Sequence, residues 1–110
     1  MNLKERIKKT EKDIEKYFEN SKKIMLEKNR QRGDCWRNSG LLGQFIEIHS
    51  MYFRLRNLIW ETKYERESDL PLWKEQVTNA LEDLRNFTIL AELCLAENEI
   101  NFKGEEIEEL

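Results

Sequence analysis

The helical spacing of the apolar residues is the feature that most limits what this chain can fold into. In three segments the apolar residues recur every three or four positions, which places them on one face of a helix. The sequence has one proline and four glycines, too few for the many tight turns of an all-β protein. We therefore predict an all-α fold, a bundle of three long helices followed by a short acidic C-terminal segment.

Residues 3–29 are predicted to form the first helix. Its apolar seam alternates spacings of four and three, as in a coiled coil, and consists of Leu3, Ile7, Thr10, Ile14, Tyr17, Ser21 and Ile24. The two hydroxyl side chains weaken this seam. We therefore expect the helix to lie against other helices.

Residues 39–62 are predicted to form a second, far more apolar helix. One stripe consists of Leu41, Phe45, Ile48, Tyr52, Leu55 and Ile59, and a neighbouring stripe of Leu42, Ile46, Phe53 and Trp60. Met51 and Leu58 extend the apolar surface toward the far side. A helix that is apolar over so much of its circumference is surrounded by partners, so we place it centrally.

The third helix is predicted at about residues 70–97, after a polar connection. Asp69 is a plausible N-cap, and Pro71 would stand in the first turn, where its missing N–H costs nothing. The expected buried stripe consists of Trp73, Val77, Ala80, Leu84, Phe87, Ala91 and Cys94. Residues 98–110 form an acidic tail.

The length of 110 residues predicts a single domain over residues 1–110. No apolar run approaches the roughly 20 residues that span a bilayer, and the N-terminus lacks the apolar core of a signal peptide. Cys35 and Cys94 form no metal-binding pair, so we expect reduced thiols in a cytoplasmic protein. Three helices leave much apolar surface to cover, which favours a homo-oligomer, either a dimer or a larger assembly.

The net charge of −3 is unevenly distributed. Residues 1–37 carry 12 Lys and Arg against 7 Asp and Glu, whereas residues 97–110 carry one Lys against six Glu. A basic helix can suit nucleic acid, but here lysines alternate with glutamates at helical spacing, which is typical of a solvated, salt-bridged face. We do not expect nucleic acid as a partner.

Polar residues also recur at helical spacing. Glu75, Asn79, Asp83 and Asn86 share one face of the third helix. The simplest interpretation is solvent exposure, but exposed faces usually carry better helix formers than two amides. On the second helix, Gln44, Glu47, Met51 and Arg54 share a face. Arg54 could hold a phosphate, pair with Asp83 or form only a surface ion pair. We expect His49 to be packed or hydrogen-bonded, not catalytic.

The segment RQRGDCWRNSGLLGQF, residues 30–45, differs from the rest of the chain. Gly33 is predicted to end the first helix in a left-handed conformation. Trp36 either plugs the bundle end or offers a stacking face to a base. Its neighbours are Arg30, Arg32 and Arg37, followed by Ser39, Gly40 and Gly43, which open a helix whose N-terminal amides favour anions. The segment is therefore either only a turn or one wall of a nucleotide pocket.

Three motifs in fixed order carry a resemblance to a known family. They are GDCW with R-x-x-G-L-x-G, then I-x-x-x-Y-x-R-L-x-N-L-I, then L-x-D-L-x-N-F. Over residues 28–95 the chain resembles the nucleotide-modification-associated domain of phages and bacteria, a small all-helical family similar to the MazG-type nucleotide pyrophosphohydrolases. The resemblance implies nucleotide-binding roles for Trp36, Arg37, Arg54, Asp83 and Asn86. With Arg32 and Asn79 added from the patterns above, seven nucleotide-binding residues are predicted.

The resemblance also implies a metal site, because MazG-type enzymes hold Mg²⁺ with several carboxylates. Glu47 and Asp83 are the candidate ligands for Mg²⁺ or Mn²⁺, with Glu82 nearby. Other positions depart from the family pattern. Met51 replaces an expected lysine, Ser50 a common acid, and Asn79 an expected aspartate.

A carboxylate-poor pocket can bind a nucleotide or cyclic nucleotide without hydrolysing it. We therefore expect a phage-type nucleotide-binding protein, located in the host cytoplasm if phage-encoded. It would act in nucleotide metabolism or sequester a nucleotide signal. Hydrolysis by a degenerate pyrophosphohydrolase stays open. The alternative is a helical interaction module, for example a phage inhibitor of a host protein, that binds no nucleotide.

Overall fold

The computed structural model describes residues 1–61 and 66–98. It contains the helices α1 (Leu3–Arg32), α2 (Trp36–Arg56) and α3 (Leu70–Ala96). A π-helical turn, Asn57–Glu61, continues α2, and a 3-10 turn, Glu67–Asp69, precedes α3. No strand occurs in these two ranges, so the prediction of an all-α fold with three long helices is confirmed. The predicted acidic tail lies outside the described residues from residue 99 onward.

The chain divides into two compact units, Met1–Asp34 and Cys35–Leu110. The first unit consists of α1 and the turn that ends it, and the second contains α2 and α3. Cys35 is exposed and Cys94 is buried, and no disulfide joins them. Within the described ranges, no helix is long and apolar enough to cross a bilayer.

Both ends of helix α1 are capped by local hydrogen bonds. The Asn2 side chain accepts the Glu5 N–H at 2.9 Å while the Glu5 carboxylate accepts the Asn2 N–H at 3.4 Å, a reciprocal capping box. At the other end Gly33 is left-handed (φ 59°, ψ 47°), as predicted, and its N–H donates to Asn29 O at 2.8 Å. The helix runs three residues beyond its predicted end at residue 29.

An ion pair on the surface of α1 follows the expected charge alternation. Lys9 Nζ donates to Asp13 Oδ2 at 2.7 Å, one helical turn away. This hydrogen bond lowers the pKa of Asp13 and raises the pKa of Lys9. Both side chains are well solvated, so the pair contributes little to stability.

The predicted seam of α1 is largely exposed. Leu3, Ile7, Ile14 and Tyr17 each expose half or more of their surface, and only Ser21 of the seam is buried. That α1 lies against other helices stays a prediction.

Helices α2 and α3 form an antiparallel hairpin that is held at both ends. At the connection, Trp73 Nε1 donates to Leu58 O at 2.7 Å. At the open end, Arg37 Nη1 lies 2.7 Å from Glu97 Oε2. The predicted inner stripe of α3 is confirmed, because Ala80 and Cys94 are fully buried and the other five members are half-buried. Asp69 precedes α3 as predicted, but its side chain caps no described N–H.

The face of α2 that packs against α3 differs from the prediction. It consists of Leu41, Gln44, Ile48, Met51, Leu55 and Leu58, all buried or half-buried. Phe45, Tyr52 and Ile59, which the sequence places on one stripe with Leu41, Ile48 and Leu55, are exposed. Within its unit α2 packs against one helix, and a single helix covers only a stripe of about 100°. The central position of α2 among three helices stays a prediction.

Gly40 breaks α2 into two helical pieces. Its backbone angles (φ 60°, ψ −161°) lie in a region that essentially only glycine occupies. The Gln44 side chain bridges the break, because its Nε2 donates to Trp36 O and to Ser39 Oγ, each at 3.4 Å. Before the break, Ser39 Oγ donates to Trp36 O at 3.2 Å. The helix thus begins three residues before its predicted start and restarts after Gly40.

We expect Gly40→Ala to destabilise the protein by about 1–3 kcal/mol, because a Cβ forces this backbone out of its angles. The free energy of urea unfolding measures the loss. Gly33→Asn is the matched control, since asparagine tolerates the left-handed region and nothing lies within 4 Å of the added Cβ. Equal losses at both positions would contradict a special role for Gly40.

Candidate functional site

The predicted nucleotide-binding residues are divided between the two units. Arg32 is exposed on the last turn of α1, in the first unit. The other six, which are Trp36, Arg37, Arg54, Asn79, Asp83 and Asn86, belong to the α2–α3 hairpin. The hairpin is therefore the part of the molecule in which these side chains can act together.

Trp36 and Arg37 form a small cluster at the open end of the hairpin. The Arg37 guanidinium carbon lies 4.8 Å from the centre of the half-buried Trp36 ring, a cation–π contact. The same guanidinium pairs with Glu97 at 2.7 Å. A phosphate that binds Arg37 must therefore compete with the Glu97 carboxylate.

The other predicted residues lie on a common side of the hairpin. Glu47 and Arg54 are seven residues apart and share one face of α2, as Asn79, Asp83 and Asn86 share one face of α3. Because the helices are antiparallel, helical periodicity turns both faces toward the same side, which we call the polar side. Asn86 is buried there, Asp83 is half-buried and the other three are exposed.

The cluster at the open end and Arg54 are far apart. From Leu41 to Arg54 alone, α2 rises about 20 Å at 1.5 Å per residue, and Trp36 lies beyond Leu41. The Arg37 and Arg54 guanidinium groups thus lie toward opposite ends of the hairpin. Only Glu47, Asp83 and Asn86 lie at a similar level, near the middle. The predicted residues of the hairpin therefore form two groups, one along the polar side and the other the Trp36–Arg37 cluster at the open end.

The carboxylates of the polar side form an incomplete metal site. Among residues 1–61 and 66–98, no group of three or more His, Cys, Asp or Glu side chains could together hold a metal ion. Glu47 and Asp83 are two carboxylates, whereas Mg²⁺ takes six oxygen ligands. The donors in this part of the chain therefore fit a metal only if phosphate and water supply most of its ligands.

Two residues outside the predicted site, Gln44 and Arg85, have buried polar atoms, and the sequence patterns gave no sign of Arg85. Gln44 is buried in the face that packs against α3, and no described donor reaches its Oε1. Likewise, no described acceptor reaches Nε of Arg85. The next residue, Asn86, has a buried Oδ1 that no described donor reaches. The sequence contained one signal for the burial of Gln44, which is that it continues the apolar series Leu41, Ile48 and Met51 at spacings of three and four.

No family model matches the chain, and no curated protein or solved structure matches it. The resemblance to the nucleotide-modification-associated domain therefore stays a prediction. It is carried by the three quoted motifs. The first extends from the end of α1 into the start of α2, the second lies on α2 and the turn that continues it, and the third lies on α3.

Asn86→Leu should stabilise the protein by about 1 kcal/mol, because a buried polar atom without a partner costs about 1–3 kcal/mol. Thr78→Leu is the matched control: Thr78 is exposed on the same helix, and Thr and Asn have similar helix propensities. The difference between the two in urea unfolding isolates the buried amide. If Asn86→Leu is the more damaging change, the amide has a partner in the folded protein.

Proposed function

We propose that this chain is a phage-type nucleotide-binding protein, which holds a nucleotide or cyclic nucleotide on the polar side of the α2–α3 hairpin. The observation that carries the proposal is the buried amide of Asn86 on this side, whose Oδ1 no described donor reaches. Buried polar groups are almost always hydrogen-bonded, so such atoms favour a polar ligand. The amino and imino groups of a base are donors of the required kind.

The charges on the polar side support the same assignment. Arg54 is exposed, and no carboxylate of the described ranges is paired with it. Its guanidinium matches a phosphate in bidentate geometry. Trp36 and Arg37 at the open end, together with Arg32 of the first unit, are the further nucleotide contacts that the sequence predicts.

The carboxylate set favours binding over hydrolysis. Glu47 and Asp83 are the two acids that could contribute to an Mg²⁺ or Mn²⁺ site, and the family's additional charged positions carry Met51, Ser50 and Asn79. Two carboxylates can help to hold a metal that arrives with the phosphates. They supply few of the ligands that an activated water requires. A protein of this kind would retain a nucleotide signal rather than consume it.

The test is to incubate the protein with mononucleotides, dinucleotides and cyclic nucleotides, with and without Mg²⁺ or Mn²⁺, and to separate bound ligand, free ligand and products by chromatography. We expect a nucleotide that is retained and released intact on denaturation. Asn86→Leu should weaken retention at least tenfold, because it removes a buried hydrogen-bonding group. Thr78→Leu should leave retention unchanged.

Other outcomes have definite meanings. A consumed nucleotide whose turnover is lost in Asp83→Ala would identify a hydrolase. Turnover that survives both Asp83→Ala and Glu47→Ala would remove those residues from the mechanism. If no nucleotide is retained or consumed, the binding proposal is wrong.

A second candidate function, the helical interaction module, is favoured by a different observation. The outer face of α2 exposes a continuous row of aromatic side chains. Phe45 and His49 rings lie 6.3 Å apart, His49 and Phe53 4.8 Å, and Tyr52 and Phe53 5.7 Å. An exposed apolar patch of this extent marks an interaction site. If the chain is such a module, Arg32→Ala and Arg37→Ala would not change its affinity for any nucleotide.

A further inference from the structure

We propose that a second copy of this chain docks on the outer face of α2, with the two α2 helices antiparallel. This face, called the aromatic row below, consists of Phe45, Ile46, His49, Tyr52, Phe53, Arg56, Ile59 and Trp60. All eight are exposed, Phe45 at 60% and Trp60 at 74%. It lies on the side of α2 away from Glu47 and Arg54, so the proposal does not rest on nucleotide binding.

The spacing of the aromatic row is that of a helix–helix seam. Ile46, His49, Phe53, Arg56 and Trp60 follow one another at intervals of three and four, the repeat with which one helix packs along another. The part of α2 after Gly40 continues into the π-helical turn Asn57–Glu61, and the Arg56 guanidinium lies over the Trp60 ring across that turn, so the row forms one continuous surface. The natural occupant is therefore another helix.

The exposed apolar area matches what one partner contributes to a stable dimer. Six apolar members of the row expose 45–74% of their surface. Since large side chains bury about 150–250 Å² each, the row offers roughly 600 Å², close to the 800 Å² per partner of a standard interface. A hairpin of two helices also covers only one face of each helix, and two such hairpins together form a four-helix arrangement.

The charges within the row favour a second copy in the antiparallel orientation. Its ionisable members are Arg56 and His49, and it contains no carboxylate. In a parallel pair, Arg56 would face Arg56 of the partner subunit, a repulsive contact. An antiparallel pair about the midpoint of the row, between residues 52 and 53, instead separates the two Arg56 side chains. It places each of them opposite His49 of the partner subunit, where the adjoining Phe53 ring of that subunit offers a cation–π contact.

The same pairing repeats a contact already present within one chain. The Arg56 guanidinium carbon lies 5.9 Å from the centre of the Trp60 ring, and Arg56 Nε lies 3.5 Å from Glu61 Oε1. The guanidinium is therefore held over the aromatic row, and its charge is partly balanced. A partner aromatic ring can stack on it without leaving an unpaired cation in the interface.

The first experiment is sedimentation velocity of the full chain over a range of concentrations. We expect a dimer, and we expect Phe53→Glu to raise its dissociation constant at least a hundredfold, because a carboxylate would enter the seam. Leu95→Glu is the matched control: Leu95 is 54% exposed and lies at the open end, beyond the row. A monomeric chain, or equal dissociation by both variants, would overturn the proposal.

A charge comparison at one position tests the orientation. His49→Glu would face Arg56 of the partner subunit and form an ion pair, whereas His49→Arg would face it with a like charge. We expect His49→Arg to weaken the dimer at least tenfold more than His49→Glu. Circular dichroism checks that both variants remain helical, as expected at an exposed position. The reverse order would exclude the antiparallel arrangement. A dimer formed by another surface would leave both the Phe53→Glu variant and the His49 series without effect, which overturns the proposal.

Discussion

The contact between α2 and α3 is the constraint on which the rest of the second unit depends. It is fixed at one end by the hydrogen bond from the Trp73 indole to Leu58 O and at the other by the Arg37–Glu97 ion pair. Between these ends, small buried residues of α3, such as Ala80 and Cys94, allow a close approach. These two contacts at opposite ends define the antiparallel direction of the two helices and the register between them. That register decides which side chains of α2 and α3 meet.

The register gives the hairpin two dissimilar surfaces. One carries Glu47, Arg54, Asn79, Asp83 and Asn86, and the amide oxygen of Asn86 is buried there. The other carries the aromatic row. A polar atom without a hydrogen bond lowers the stability of the protein, and an exposed aromatic row leaves apolar area in water. Under the two proposals above, both costs would fall on binding: a polar ligand would cover the first surface and an apolar helix the second.

The break at Gly40 connects the open end of the hairpin with its interior. Because the backbone departs from helical angles there, Trp36 and Arg37 stand on a separate short piece of helix. Gln44 reaches back across the break to the carbonyl oxygen of Trp36. The buried Gln44 amide is thus coupled to the position of the Trp36–Arg37 cluster.

The sequence by itself determined the helices and many of their ends. Periodic apolar residues predicted three helices, and Gly33, Asp69 and Pro71 marked two of their boundaries correctly, because these signals depend on local backbone chemistry. The inner stripe of α3 was also predictable, since it is the single apolar stripe with small residues at close-packing positions. The polar spacing of Asn79, Asp83 and Asn86 predicted a shared face for the same local reason.

Only the tertiary structure decided which part of α2 is buried. Its apolar residues extend around most of the circumference, so several faces were equally suitable for packing. The register with α3 selected the face that contains Gln44 and Met51 and left Phe45 and Tyr52 exposed. For the same reason, the sequence could not show that Arg37 pairs with Glu97, or that Arg37 and Arg54 lie toward opposite ends. Such facts depend on how two helices meet, and residue spacing within one helix carries no information about that.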